Sequence, residues 1–402
     1  MKVEIEKLDH FGRGITHING KICFIDKALP GEVVKIKIIK DSKKYMVGKI
    51  VDYYKLSDDR IDEVCRYSDI CGGCSLSHLT INEENKFKCM KVKELLERFG
   101  SISSEKVCDV ICLDEYGYRN KVTLHGQNSL LGYCENGSNR VFNVDKCLLA
   151  NEKINGILEI LNKMSFNESI DEAVVRCSND SSEVMVSLKG DISDYSSLRN
   201  VVDTLIINDE VLLGDESIVS NIGNKKFYVS DGSFFQVNKN LTKKLYDEVL
   251  DVVKCEKPKK ILDLYCGTGT IGIYVSDYTD SVIGVDYSKE GINDANKNKE
   301  LNNCKNIKFI CDKVENVIDQ FDDIDMVIVD PPRAGLDNKT IDNIKRIAAE
   351  TVVYVSCDPA TLGRDLKYLS DSYDVIEVKP FNMFPRTYHI ENFVLLRRKN
   401  NG

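Results

Sequence analysis

The chain has 402 residues, room for two or three domains at the ~150 residues a domain commonly takes. At 42% hydrophobic and 30% charged it has ordinary globular composition, which excludes a disordered or fibrous protein, and no apolar run approaches the ~18–20 residues of a membrane span. A formal charge of −9 argues at first against a polyanionic partner, yet residues 1–55 carry 12 Lys/Arg against 7 Asp/Glu, a net of +5, while the rest nets −14.

The first residues, Met1-Lys2-Val3-Glu4-Ile5-Glu6-Lys7, alternate charged and apolar side chains and lack the apolar core of a signal peptide. Fifteen cysteines without such a signal predict a reducing cytoplasm, where clustered thiols serve metals or catalysis more often than disulfides.

Residues 1–55 read as about five short strands. Val33–Ile39 alternates, Met46–Val51 follows, and Gly12, Gly14, Gly20, Pro30-Gly31 and Gly48 punctuate them. That pattern predicts a small β-barrel of the OB type with a basic surface. A Cys-rich loop region spans 57–80. A helix is expected over 82–99, with Phe87, Val92, Leu95, Leu96 and Phe99 on one face and Gly100 as its stop. Residues 108–230 mix short strands with one helix near Asn155–Lys163, an α+β region.

From Asn240 the pattern changes. A helix leads into the buried strand Lys260–Leu264, and apolar strands recur at 282–285, 307–310, 325–329 and 351–355 with helical stretches between them. This alternation predicts an α/β, Rossmann-like parallel sheet. Strands at 374–379 and 391–396 lack an intervening helix, so that pair must be antiparallel.

The first of these strands runs into Tyr265-Cys266-Gly267-Thr268-Gly269-Thr270, and the second ends in Asp286, 19 residues past Gly267. Glycines let the backbone approach a ligand there, and the acidic residue can accept ribose hydroxyls. Gly267, Gly269 and Gly272 also satisfy G-x-G-x-x-G, so an NAD-dependent dehydrogenase is an alternative. Asp263 before the loop favours S-adenosylmethionine instead: a carboxylate tolerates a sulfonium and repels a pyrophosphate.

Asp330-Pro331-Pro332-Arg333 and Ser356-Cys357-Asp358-Pro359 follow the fourth and fifth strands, and His389-Ile390-Glu391 opens the antiparallel one. Topology alone therefore brings Asp330, Cys357 and Glu391 to one rim. A thiol, a carboxylate and a methyl donor together suit methylation of a pyrimidine C5. The thiolate adds to C6, C5 attacks the methyl group, and a base removes the C5 proton so that the thiol can leave. Taken alone, Cys357 reads more often as a buried structural thiol, and Glu391 as a solvated strand-end carboxylate.

Cys65-x5-Cys71-Gly72-Gly73-Cys74 is a compact ligand cluster that needs a fourth thiol. Cys147, Cys89, Cys108, Cys112 and Cys134 compete for that place. Zinc and an iron–sulfur cluster both accept four thiolates.

These motifs, with Phe235-Gln236-Val237-Asn238 and Phe384-Pro385-Arg386-Thr387-Tyr388-His389-Ile390-Glu391, resemble the RNA uracil-5 methyltransferases of the RumA/TrmA type over the whole chain. The resemblance implies a TRAM barrel at 1–56, a central domain at 57–230 whose helix 82–99 packs on the catalytic domain, and a methyltransferase domain at 231–402. It implies Cys357 as nucleophile and Glu391 as general base, with Gln236, Tyr265, Asp286 and Asp330 around S-adenosylmethionine. It assigns Cys65, Cys71, Cys74 and Cys147 to a [4Fe-4S] cluster, and Arg119 and Lys121 to RNA phosphates. Barrel and cluster together resemble the 23S rRNA branch, with a tRNA enzyme as the alternative; a monomer acting on RNA before ribosome assembly is expected. Two departures stand out. Asp286 replaces the Glu of many relatives, which shortens its reach. Asp358 replaces the Asn of several, which puts a charge beside the nucleophile and raises its pKa unless a cation offsets it.

Overall fold

The computed structural model describes residues 1–164, 166, 170–180 and 182–399. Six strands form the N-terminal sheet: β1 (Lys2–Glu4), β2 (Lys7–Leu8), β3 (Gly14–Ile18), β4 (Lys21–Ile25), β5 (Val33–Asp41) and β6 (Tyr45–Lys55). Their order is β1-β5-β6-β4-β3-β2, antiparallel throughout except for the parallel pair β4–β6. Along β5, Val34 and Ile36 turn inward onto Ile5, Cys23 and Ile25, while Lys35 and Lys37 face out. Alternation thus both closes the core and makes the surface basic. The strand beyond the expected five comes from the short segments before Gly14.

Helix α1 (Ile81–Gly100) starts at Thr80, whose hydroxyl accepts from the Glu83 N–H. It lies against α8 (Pro359–Leu369) of the C-terminal layer, and Val92 and Leu96 share a core with Leu362 and Leu366. Close approach depends on small residues: a Cβ on Gly363 would sit 3.2 Å from the Leu95 carbonyl oxygen.

A seven-stranded sheet follows, comprising β7 (Lys121–Gln127), β8 (Leu130–Cys134), β9 (Val141–Asn143), β10 (Glu172–Cys177), β11 (Val184–Lys189), β12 (Thr204–Ile207) and β13 (Glu210–Leu213). Helix α2 (Glu152–Lys163) covers one face with Ile154, Ile157, Leu158 and Leu161. Its start precedes the expected one because Asn151 caps it, accepting from the Ile154 N–H at 2.9 Å. The other face meets the C-terminal layer, whose core takes in Met185 and Ile206. The hairpin of β14 (Ser217–Ile222) and β15 (Lys225–Ser230) packs there too, through Ile218, Phe227 and Val229. The C-terminal core therefore reaches back before the expected break at residue 230.

The C-terminal layer begins with α3 (Lys239–Glu256) and β16 (Lys260–Leu264). It continues through α4 (Thr270–Val275), β17 (Ser281–Asp286), α5 (Lys289–Leu301), β18 (Ile307–Cys311), α6 (Val314–Val317), β19 (Met326–Val329), α7 (Asn338–Ile347) and β20 (Thr351–Ser356). After α8 come β21 (Tyr373–Phe381) and β22 (Glu391–Arg398). The order is β18-β17-β16-β19-β20-β22-β21. Five strands are parallel, as the alternation predicts, and β22 inserts antiparallel between β20 and β21. No helix among the described residues is long and apolar enough to cross a membrane.

Candidate active site

The carboxyl ends of β16, β17, β19 and β20 share a rim with the start of β22. Ser356 pairs with Asn392 across the antiparallel step, so Cys357 and Glu391 leave their strands side by side. After β16 the chain turns sharply: Tyr265 has φ 62°, Gly267 φ 53° and Gly269 φ 76°. At Gly269 a Cβ would lie 2.4 Å from the Phe309 ring, so only glycine fits. Asp286 closes this loop onto β17. One of its carboxylate oxygens accepts from the Gly267 N–H at 2.9 Å and the other from the Ser288 N–H at 2.8 Å. Each oxygen keeps a lone pair for a ligand hydroxyl.

Asp263 departs from the reading of its charge. It is fully buried beneath the loop, accepts from the Gly272 N–H at 3.0 Å, and is pushed up to about 8 by burial. It braces the loop as a largely neutral acid, so its charge does not choose between a sulfonium and a pyrophosphate.

Gln236 is buried on the loop between β15 and α3. Its main-chain carbonyl accepts from the Asn120 side chain at 3.1 Å, and the Asn120 N–H donates to the Val237 carbonyl at 3.1 Å. Asn238 caps α3 and donates to the Met383 carbonyl at 3.2 Å, which ties this loop to the segment leading into β22.

The rim is electrostatically unusual. Burial raises Glu391 well above the ordinary carboxylate range, the charge of Asp330 adds to this, and Arg333 opposes it. Burial also raises Asp330. The Cys357 thiol is pushed up to about 11 by burial, then by Glu391 and Asp330, with Arg333 opposing. Asp358 contributes least of these causes, because its carboxylate caps α8, accepting from the Ala360 and Thr361 N–H groups at 2.9 and 3.0 Å. The charge expected to disturb the nucleophile is thus spent on a helix N-terminus, and Arg333 is the offsetting cation. Its role was unassigned because only the folded rim brings it near the thiol.

The segment before Glu391 is held from α1. Lys88, fully buried, donates to Glu84 at 2.8 Å, to the Asn382 side chain at 2.5 Å and to the Phe384 carbonyl at 3.2 Å. Glu84 accepts the Arg386 N–H at 3.0 Å, and Arg386 donates to the Leu79 carbonyl and to Glu115, each at 2.6 Å. Lys91 donates to the Tyr388 carbonyl at 2.9 Å.

Cys65, Cys71, Cys74 and Cys147 line one cavity of about 540 Å³. Burial raises Cys71, and pushes Cys74 up to about 12; neighbouring thiols add to both shifts. Of the competing thiols, Cys134 reaches this cavity and Cys89, Cys108 and Cys112 do not line it. No group of three or more His, Cys, Asp or Glu among the described residues is drawn together as for a metal ion. Arg119 and Lys121, expected on the RNA face, are among the residues that line this cavity. The charge of Arg119 lowers Cys74, and its Nε has no partner.

Residues 203–399 match the tRNA (Uracil-5-)-methyltransferase family, and residues 1–51 match the TRAM domain. An uncharacterised RNA methyltransferase of Halalkalibacterium halodurans is 32% identical, over 100% of this chain and 97% of its own. Another from Clostridium acetobutylicum is 33% identical over 99% and 96%. The solved Pyrococcus abyssi tRNA (uracil-54, C5)-methyltransferase, in complex with S-adenosyl-L-homocysteine, matches with a TM-score of 0.82 at 26% identity, covering 98% of this chain and 99% of that one.

Proposed function

The chain belongs to the S-adenosylmethionine-dependent RNA uracil-5 methyltransferase family, with an N-terminal TRAM domain and a C-terminal methyltransferase fold, and on that premise we propose that it methylates C5 of a specific uridine in 23S rRNA through a covalent Cys357 adduct. The observation that carries this reading is the Ser356–Asn392 register of β20 and β22, which sets Cys357 and Glu391 at adjoining strand ends where Glu391 and Asp330 both act on the thiol.

Cys357 Sγ adds to uracil C6, and its proton passes to a neighbouring raised carboxylate. The electron pair displaced onto C5 and O4 takes the methyl group of S-adenosylmethionine, and S-adenosylhomocysteine leaves. Glu391 then removes the C5 proton, C5=C6 reforms, and the thiolate departs. Burial suits Glu391 to this task, since a raised carboxylate is the stronger base once ionised. Gln236, Tyr265, Asp286 and Asp330 are the residues proposed to hold S-adenosylmethionine.

Cys65, Cys71, Cys74 and Cys147 would hold a [4Fe-4S] cluster. What supports this reading is that all four thiols line one cavity. Such a cluster supplies a structural crosslink between the Cys65–Cys74 loop and the segment after β9; no step of the reaction runs through it. A visible absorption band bleached by dithionite and lost in Cys74→Ser supports the cluster, and a colourless zinc-loaded protein contradicts it.

A tRNA target is the second reading. The Pyrococcus abyssi tRNA enzyme matches nearly the whole chain, so the barrel does not by itself separate the rRNA branch from the tRNA branch. Mapping 5-methyluridine in rRNA and tRNA, with and without this protein, tests both. Loss from 23S rRNA alone supports the first reading, and loss from tRNA alone replaces it with the second.

A further inference from the structure

A line of aromatic rings and cations runs from the N-terminal barrel to the rim. Lys40 lies over the Tyr45 ring at 5.3 Å, and Tyr45 meets Phe24 edge-on at 5.9 Å. Arg13 bridges Phe24 and Phe11, with its guanidinium 4.3 and 5.5 Å from the two ring centres, while Asp9 holds it at 2.8 Å. Phe11 then meets Tyr388 edge-on at 5.3 Å, and Tyr388 lies tilted against His389 with ring centres 4.2 Å apart, two residues from Glu391. Phe11 is 53% exposed, and Phe24, Tyr45, Tyr388 and His389 are partly exposed. Burial and nearby cations push His389 down to about 4, so at neutral pH it is an uncharged ring.

The barrel end of this line is fixed to the catalytic end. Gly12 has φ 82° and rests on Leu76, where a Cβ would lie 2.5 Å from the side chain. The Leu76 N–H donates to the Arg386 carbonyl at 3.0 Å, and Ser75 accepts from the Tyr388 N–H at 3.0 Å. Phe11 and Tyr388 are therefore neighbours by construction, and the line is continuous.

We propose that Tyr45, Phe24, Arg13, Phe11 and Tyr388 form the track for an unpaired RNA strand flanking the target nucleotide. The proposal deepens the reading of an RNA methyltransferase and rests on it. Alternating rings and cations suit bases that stack and phosphates that are neutralised, as in single-strand binders. A duplex hides its base faces and uses only the charge. The +5 balance of residues 1–55 complements a polyanion, and the exposed rings beside the cations add the base-stacking surface that an acidic protein would not use.

The test is fluorescence anisotropy of the full chain with an unstructured RNA of about twelve nucleotides and with the same sequence as a duplex. Phe11→Ala and Tyr45→Ala should each weaken strand binding roughly 5- to 150-fold, the worth of one base–ring stack, and leave duplex binding unchanged. Phe11→Tyr should retain strand binding. Equal losses on strand and duplex, undiminished strand binding in both alanine variants, or Phe11→Leu binding the strand as tightly as the parent overturns the track. Because binding is scored without turnover, the result stands apart from whether the methylated atom is uridine C5.

Discussion

Asn392 donates from its side-chain amide to the Ser356 carbonyl oxygen at 3.1 Å, across the register step that sets residue 357 beside residue 391. Asn392 is fully buried, so this bond fixes where two strands of opposite direction end. Replacing Asn392 by Ala strands a buried carbonyl, which costs about 1–3 kcal/mol. Urea unfolding should register that loss, and labelling of Cys357 by substrate RNA should fall with it; unchanged stability would show that the strand ends need no such tie.

The reactivity of Cys357 should follow its surroundings. In the free protein its thiol is pushed up to about 11, so alkylation by iodoacetamide at pH 7 should be slow and should climb steadily with pH. Glu391→Gln removes a nearby negative charge and should speed alkylation at pH 8–9. Arg333→Ala removes the offsetting cation and should slow it. Asp358→Asn keeps the α8 cap and should change it least. Rates measured by mass spectrometry in the opposite order would refute this electrostatic account.

Asp263 makes a pH prediction of definite sign. Its folded value of about 8 lies above the ordinary 3.8, so the folded state holds a proton that the unfolded state releases between these values. The stability tied to this proton is fully present below about pH 4 and is lost as pH rises towards 8. Asp263→Asn can still accept from the Gly272 N–H, and its urea midpoint should fall less across that window. Parallel profiles for parent and variant would mean that Asp263 is ionised when folded.

Lys88 is buried against Glu84 and Asn382. Lys88→Met leaves the Glu84 carboxylate without its lysine and should cost about 3–5 kcal/mol. The double variant with Glu84→Gln should recover part of this. If the double variant is no more stable than the single one, the two residues do not act as a pair.

The rim was legible in the sequence because parallel strands joined by helices leave their loops at one edge, and the short link before β22 forces its reversal. Cys357, Glu391 and Asp330 follow from that topology alone. The α1 network was not legible: Lys88 and Asn382 lie 294 positions apart, and a buried lysine looks like any other in a charged helix. Asp263 was misread for a related reason, since burial that neutralises a carboxylate leaves no trace in residue type. Arg119 and Lys121 are expected on RNA only through the resemblance of their strand, and nothing in the sequence shows that the Arg119 charge also reaches Cys74.

The central claim is that Cys357 carries the uridine and Glu391 releases it. Glu391→Gln, incubated with substrate RNA and S-adenosylmethionine, should accumulate a denaturation-resistant protein–RNA species. Nuclease digestion and peptide mass spectrometry should place a methylated uridine on Cys357, and Cys357→Ala should abolish the species. A mass adduct on any other residue, or full 5-methyluridine formation by Cys357→Ala, would contradict the account.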